Sequence, residues 1–147
     1  MEAAGVLLNS SSSVYALQSA TAVIEAGAGV ALLSFPSDAA KVLLGAPLDT
    51  PDAWTVARIG GMALLTLGAA FWLARGDAQS RASKGLIAAM VLYNLGAAII
   101  LAAAGVGSRR VGVALWPAVV LHAAMTVWCI MSVRYLSGAE ELENNPQ

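Results

Sequence analysis

Charge is scarce in this chain of 147 residues. Asp, Glu, Lys and Arg together make up 12% of it, about half the share found in a soluble domain. There is one cysteine and one histidine. A lone cysteine excludes an intramolecular disulfide and any CxxC chemistry. A lone histidine leaves bis-histidine haem ligation to a homodimer. Apart from Asp52 in the first turn of the second run, only one acid falls inside the apolar runs, so the inward acids and Glu-x-x-His pairs of a di-iron bundle are missing. The sequence contains no phosphate loop, no zinc spacing and no Ser-His-Asp set. The net charge of -1 comes without a basic stripe, which excludes a nucleic-acid partner. No complete catalytic set and no metal site is found. No cofactor is implied, although axial ligation by His122 stays open. The opening MEAAGVLLNSSSS has no Lys or Arg, unlike the basic start of a signal peptide, so the apolar run that follows reads as a retained span.

What the chain has is apolar length. Hydrophobic residues make up 59% of it, grouped into four runs near the twenty or so residues that cross a bilayer. These runs cover 13–33, 51–74, 86–105 and 113–136. The expected fold is all-α: a four-transmembrane-helix up-down bundle forming one domain over 1–147, with an acidic flexible tail at 137–147. Between the first two spans, Pro36-Ser37-Asp38 reads as a helix start and Gly45 as its stop, giving a short interfacial helix. Thr50-Pro51-Asp52 reads as an N-cap, a proline at the first helical position and a first-turn acid. Trp54 and Trp72 bracket the second span as interface anchors. Trp116, Trp128 and Tyr135 read as anchors or packing, Cys129 as a small apolar filler, and Arg109-Arg110 as a headgroup contact. Gly27 and Gly29 on the first span, and Gly61 and Gly68 on the second, offer surfaces for close helix approach.

Each span carries one strongly polar residue near its middle or inner third: Glu25, Arg58, Asn94 and His122. Hydrocarbon penalises each by several kcal/mol when unpaired. Gln18 and Thr21 share the Glu25 face at i, i+3, i+7 spacing, so that face must look into the bundle or into water. Measured from the side of the 35–53 connection, the four polar residues lie roughly seven to eleven residues deep, which is one level within boundary error. Two readings follow. In the functional one, Arg58 holds an anionic or carbonyl oxygen, Glu25 and His122 exchange a proton, and Tyr93 and Asn94 orient a ligand. In the structural one, Glu25–Arg58 is a clamp between consecutive helices and the other two are interhelical hydrogen bonds.

The run RIGGMALLTLGAAFW (58–72), the segment YNLGAA (93–98) and LWPAVVLH (115–122) resemble small bacterial four-helix membrane proteins. The Arg-x-Gly-Gly opening of the second span and the overall size resemble the DoxX-like family. The resemblance implies a four-helix membrane fold and a redox accessory role, with Arg58, Asn94 and His122 inside the matching motifs. With no extramembrane domain and many Gly/Ala faces, the leading expectation is an accessory or assembly subunit of a larger membrane complex, respiratory or otherwise redox. The expected partners are the lipid bilayer, other membrane subunits and a second copy of the chain. The alternative is a small transporter or binder of a lipid-like or quinone-like ligand at Glu25, Arg58, Tyr93, Asn94 and His122. A third possibility is an enzyme using Glu25 and His122 for acid/base chemistry. The expected location is a bacterial inner membrane. Arg75, Arg81, Lys84 and Arg134 tip the termini slightly toward the cytoplasm.

Overall fold

The computed structural model describes residues 2–77, 79–107 and 111–144, with side chains described from 12 to 138 within those ranges. The described residues form five helices: α1 (Glu2–Ser34), α2 (Pro36–Leu44), α3 (Pro51–Ala74), α4 (Arg81–Gly107) and α5 (Leu115–Asn144). The described residues contain no strand. Four segments are long and apolar enough to cross a membrane: Ser12–Ser34, Pro51–Ala74, Arg81–Gly107 and Leu115–Gly138. The fold is therefore the expected all-α bundle, and it has the character of an integral membrane protein. Arg109 and Arg110 lie outside the described residues.

Local chemistry sets most of the helix ends. The Thr50 hydroxyl accepts from the Ala53 N–H at 3.2 Å and Pro51 opens the helix, as an N-cap followed by proline requires. Gly45 closes α2 in the left-handed region at φ 81°, where a side chain would be strained. Three ends differ from the sequence reading. The helix of α1 runs through the serine cluster, since serine is only mildly unfavourable inside a helix and no proline interrupts 2–34. The α4 helix begins at Arg81, five residues before the expected Leu86. There the Ser80 hydroxyl accepts from the Ser83 N–H at 3.1 Å and caps it. At the other extreme, α5 continues without a break through 137–144, into the segment read as a tail.

The long helices pack as two antiparallel pairs, α1 with α3 and α4 with α5, and contacts between the pairs are far sparser. Within the first pair, backbone meets backbone. A Cβ on Gly29 would sit 2.6 Å from the Gly61 carbonyl oxygen and the Leu65 nitrogen. One on Gly68 would sit 2.8 Å from the Ala22 oxygen and the Ala26 nitrogen. Only glycine allows this approach, which is how helices associate where lipid is as apolar as leucine.

The starts of α1 and α4 and the ends of α3 and α5 share one side, called here the terminal side. The opposite, loop side carries α2. There Ala114 N–H donates to the Val42 carbonyl at 3.0 Å, and Gly112 lies so close to Val42 and Leu43 that a Cβ would strike their carbonyls. This pins α2 against the start of α5. The buried apolar cluster between the pairs comprises Val14, Leu17, Ala22, Phe71, Ile87, Met90, Met125, Cys129 and Leu136. Most of them lie toward the terminal side, Ala22 and Met125 stand near mid-span, and Leu115 is buried at the loop side.

Candidate functional site

The inward face of α1 presents Gln18, Thr21 and Glu25, all buried, with Glu25 only 3% exposed. Opposite it, α4 contributes Ser83, Tyr93 and Asn94, and α5 contributes His122. The Tyr93 phenol donates to Glu25 Oε2 over a long 3.4 Å. The Tyr93 ring meets the His122 ring edge-on, with centroids 5.8 Å apart and planes at 79°. His122 Nδ1 is 2.8 Å from Asn94 Oδ1, and Asn94 Nδ2 donates to the Met90 carbonyl at 2.9 Å. A continuous chain thus joins carboxylate, phenol, imidazole and amide across three helices.

The network also settles which histidine nitrogen carries a proton. The Asn94 amide N–H is committed to Met90, so its oxygen is what faces His122. An amide oxygen only accepts, so Nδ1 must be the N–H. In the neutral ring this leaves Nε2 as the basic nitrogen.

Arg58 does not join this group. It sits on the exposed face of α3, with its guanidinium 5.6 Å from the centre of the Trp54 ring. The physical reason is directional. Helical side chains lean toward the helix N-terminus, and for α3 that end is the loop-side interface. A long basic side chain about two turns inside the start of the helix snorkels back toward the interface. Arg75 repeats the arrangement at the far end of α3: its guanidinium stacks 3.4 Å over Trp72 and donates to the Trp72 carbonyl at 2.5 Å. Trp54 and Trp72 stand about 27 Å apart along the helix, close to the ~30 Å hydrocarbon thickness. The two Trp–Arg pairs read as anchors at opposite interfaces. The expected Glu25–Arg58 clamp is not formed. Among the described residues, Glu25 is met by a phenol and by no cationic side chain.

Two further bonds tie the pairs together nearer the terminal side. Gln18 Nε2 donates to Ser83 Oγ at 2.6 Å, and Trp128 Nε1 donates to Ser13 Oγ at 3.3 Å. Ser83 was not anticipated from sequence. The available signal was its position eleven residues before Asn94, three turns away on the same helix face. The polar side chains therefore concentrate in the seam between the pairs. Comparison of the chain with family models, with curated proteins and with solved structures yields no match, so the DoxX-like resemblance stands on its short motifs alone.

Proposed function

We propose that the protein binds a lipid-like ligand with a quinone-like head inside the membrane, seated in the seam between the two helix pairs. The head would lie against Glu25, Tyr93 and His122, with Asn94 holding the imidazole so that its basic Nε2 is left for the head. The observation that carries this reading is the buried Glu25 carboxylate, which faces a phenol where a structural clamp would supply a cation. An acid kept in hydrocarbon without a countercharge is costly, and such residues mark ligand or proton sites by default.

The loop half of the seam supports the same reading. The Asn94 face of α4 continues there as Ala97, Ala98 and Leu101, and the His122 face of α5 continues as Ala118 and Val119. All are apolar and only partly buried. Such a partly covered apolar face suits an apolar tail better than the closely packed terminal half does. A carbonyl oxygen of the head would find a donor in Tyr93, a hydroxyl of its reduced form would find an acceptor in His122 Nε2, and Glu25 would exchange protons with it. Arg58 drops out of the ligand-contacting set.

Thermal unfolding of the purified protein in nanodiscs, with and without decylubiquinone, tests this. The quinone should raise the Tm of the unmodified protein. Glu25→Gln and Tyr93→Phe, folded by circular dichroism, should lose that response. An absent response in the unmodified protein, or an equal one in all variants, overturns the reading.

The second reading is the accessory subunit of a larger, redox-active membrane complex, in line with the DoxX-like resemblance. Gly27, Gly60 and Gly96 favour it, because a Cβ at each would meet nothing within 4 Å. These small residues are not used within the bundle and suit a neighbouring helix. Purification in mild detergent should then recover larger partner proteins, and a protein isolated only with copies of itself would count against it. Arg75, Arg81, Lys84 and Arg134 support placing the terminal side in the cytoplasm of a bacterium.

A further inference from the structure

We infer that the outer face of α3 holds one phospholipid with a primary ammonium head, of the phosphatidylethanolamine class, at the loop-side interface. Its phosphate meets Arg58, its ammonium meets Asp49, and one acyl chain lies along α3. A pocket of about 570 Å3 opens there, lined by the end of the connection before α3 and by the first two turns of that helix. Its rim is fixed. The Trp54 indole donates to the Leu48 carbonyl at 3.0 Å, and the Leu48 N–H donates to the Ser37 hydroxyl at 3.1 Å, so the connection is tied to both α3 and α2. The hydroxyls in the lining are spent locally: Thr50 accepts from the Ala53 N–H, and Thr55 donates to the Pro51 carbonyl. That leaves two charged groups, Asp49 and Arg58, both exposed. Among the described residues, neither has an ion-pair partner.

One cation and one anion in a single pocket match a zwitterionic head. Stacking on Trp54 uses the flat face of the guanidinium and leaves its in-plane N–H donors for phosphate oxygens. A primary ammonium donates hydrogen bonds to the Asp49 carboxylate, whereas a trimethylammonium has no N–H and a glycerol head brings no cation. Deeper in the membrane, a shallow apolar furrow of about 630 Å3 continues along the same helix. Trp54, Arg58, Met62, Thr66 and Ala70 form one i, i+4 row, and Pro51, Thr55, Ile59, Ala63 and Leu67 form the row beside it. These two rows supply every α3 residue of both hollows, so pocket and furrow make one continuous track. The Thr66 hydroxyl is turned back onto the Met62 carbonyl, which leaves the furrow apolar. From Arg58 to Ala70 the track runs about 18 Å along the helix axis, close to the ~15 Å of hydrocarbon in one leaflet. A water-soluble phosphate ester would use the pocket and not the furrow, so the occupant is a membrane lipid. The track shares no residue with the Glu25–His122 seam, and it stands or falls apart from the ligand proposed there.

Native mass spectrometry of the detergent-solubilised chain, titrated in turn with palmitoyl-oleoyl phosphatidylethanolamine, phosphatidylcholine and phosphatidylglycerol, tests the site. The first adduct should form with the ethanolamine lipid about threefold more tightly than with the other two, a difference the size of one exposed ion pair. Arg58→Ala should weaken all three, since each carries a phosphate. Asp49→Lys should reverse the order and put the anionic glycerol lipid first, an outcome that a merely structural role for Asp49 would not produce. Ala63→Phe fills the furrow and should weaken the ethanolamine lipid while keeping its lead over the choline lipid. Arg75→Ala removes an equal charge at the opposite interface and should change nothing. Positions 49, 58 and 63 are exposed, so these variants keep the fold, which circular dichroism checks. Equal affinity for the three lipids in the unmodified chain, or an unchanged order in Asp49→Lys, overturns the inference. So does a loss in Arg75→Ala as large as that in Arg58→Ala, or a stable dimer that carries no phospholipid.

Discussion

The contact inside the α1–α3 pair and the seam between the pairs are built on opposite chemistry. Inside the pair, Gly29, Gly61 and Gly68 let two backbones touch, and no polar side chain is needed. Across the seam, long side chains reach over a wider gap: Gln18 to Ser83, Tyr93 to Glu25 and Trp128 to Ser13. Close backbone packing is rigid and directionless in its chemistry, so it suits a scaffold. A gap bridged by side chains can open slightly, exchange partners and admit a ligand. Under the proposed ligand-site reading, the difference would put rigidity and chemistry in separate parts of the same small bundle. The helix faces that only hold and the faces that can react are distinct.

The sharpest way to break the contrast is to fill the scaffold contact. Gly29→Leu puts a side chain where even a Cβ would overlap the Gly61 carbonyl and the Leu65 backbone. The pair must separate, and the loss should be about 3 kcal/mol, at the upper end for overpacking. Titration with sodium dodecyl sulfate, followed by circular dichroism, measures it. Retention of the unmodified midpoint would mean that α1 and α3 are not held by this contact.

A milder intervention acts in the α4–α5 pair, where the packing and the polar site meet. Asn94→Leu, His122→Leu and the double variant form a cycle around the 2.8 Å bond. Each single change should destabilise, because the remaining partner is left unpaired in a buried position. The double variant should cost less than the two singles combined, with a coupling of about 1 kcal/mol, as for other interhelical hydrogen bonds in membranes. Additive effects would show that the two side chains do not depend on each other.

Much of the scaffold could be read from the residues in order. Length and apolar content locate the four spans, and Thr50-Pro51 and Gly45 mark helix ends through known backbone chemistry. Where the reading fell short, the cause was a weak local signal. Ser80 caps α4 earlier than the apolar pattern begins, and nothing in 2–34 is strong enough to stop α1 at the serines. For the site, face periodicity grouped Gln18, Thr21 and Glu25, all of them buried, and depth matching brought Asn94 and His122 to the level of Glu25. Depth says nothing about azimuth, however. Arg58 lies at a suitable height but on the wrong side of α3, because α3 spends its inward face on Gly61, Gly68 and Phe71. One sequence cannot state which face a helix turns inward when both are apolar. The partner of Gln18 was likewise out of reach, since pairing α1 with α4 needs the bundle's arrangement in space.

The smallest expected effect separates anchor from site. Arg58 is exposed, and its ring contact is with Trp54 at 5.6 Å. Arg58→Ala should therefore change stability by less than about 0.5 kcal/mol, as surface substitutions usually do. It should leave any quinone-dependent stabilisation intact, in contrast to Glu25→Gln. Paired thermal unfolding of these two variants with and without decylubiquinone measures both quantities at once. If Arg58→Ala abolished the quinone response as completely as Glu25→Gln, the guanidinium would have to reach the seam in the ligand-bound protein. The division between an outer anchoring face and an inner reactive one would then fail at α3, the helix where it is drawn most plainly.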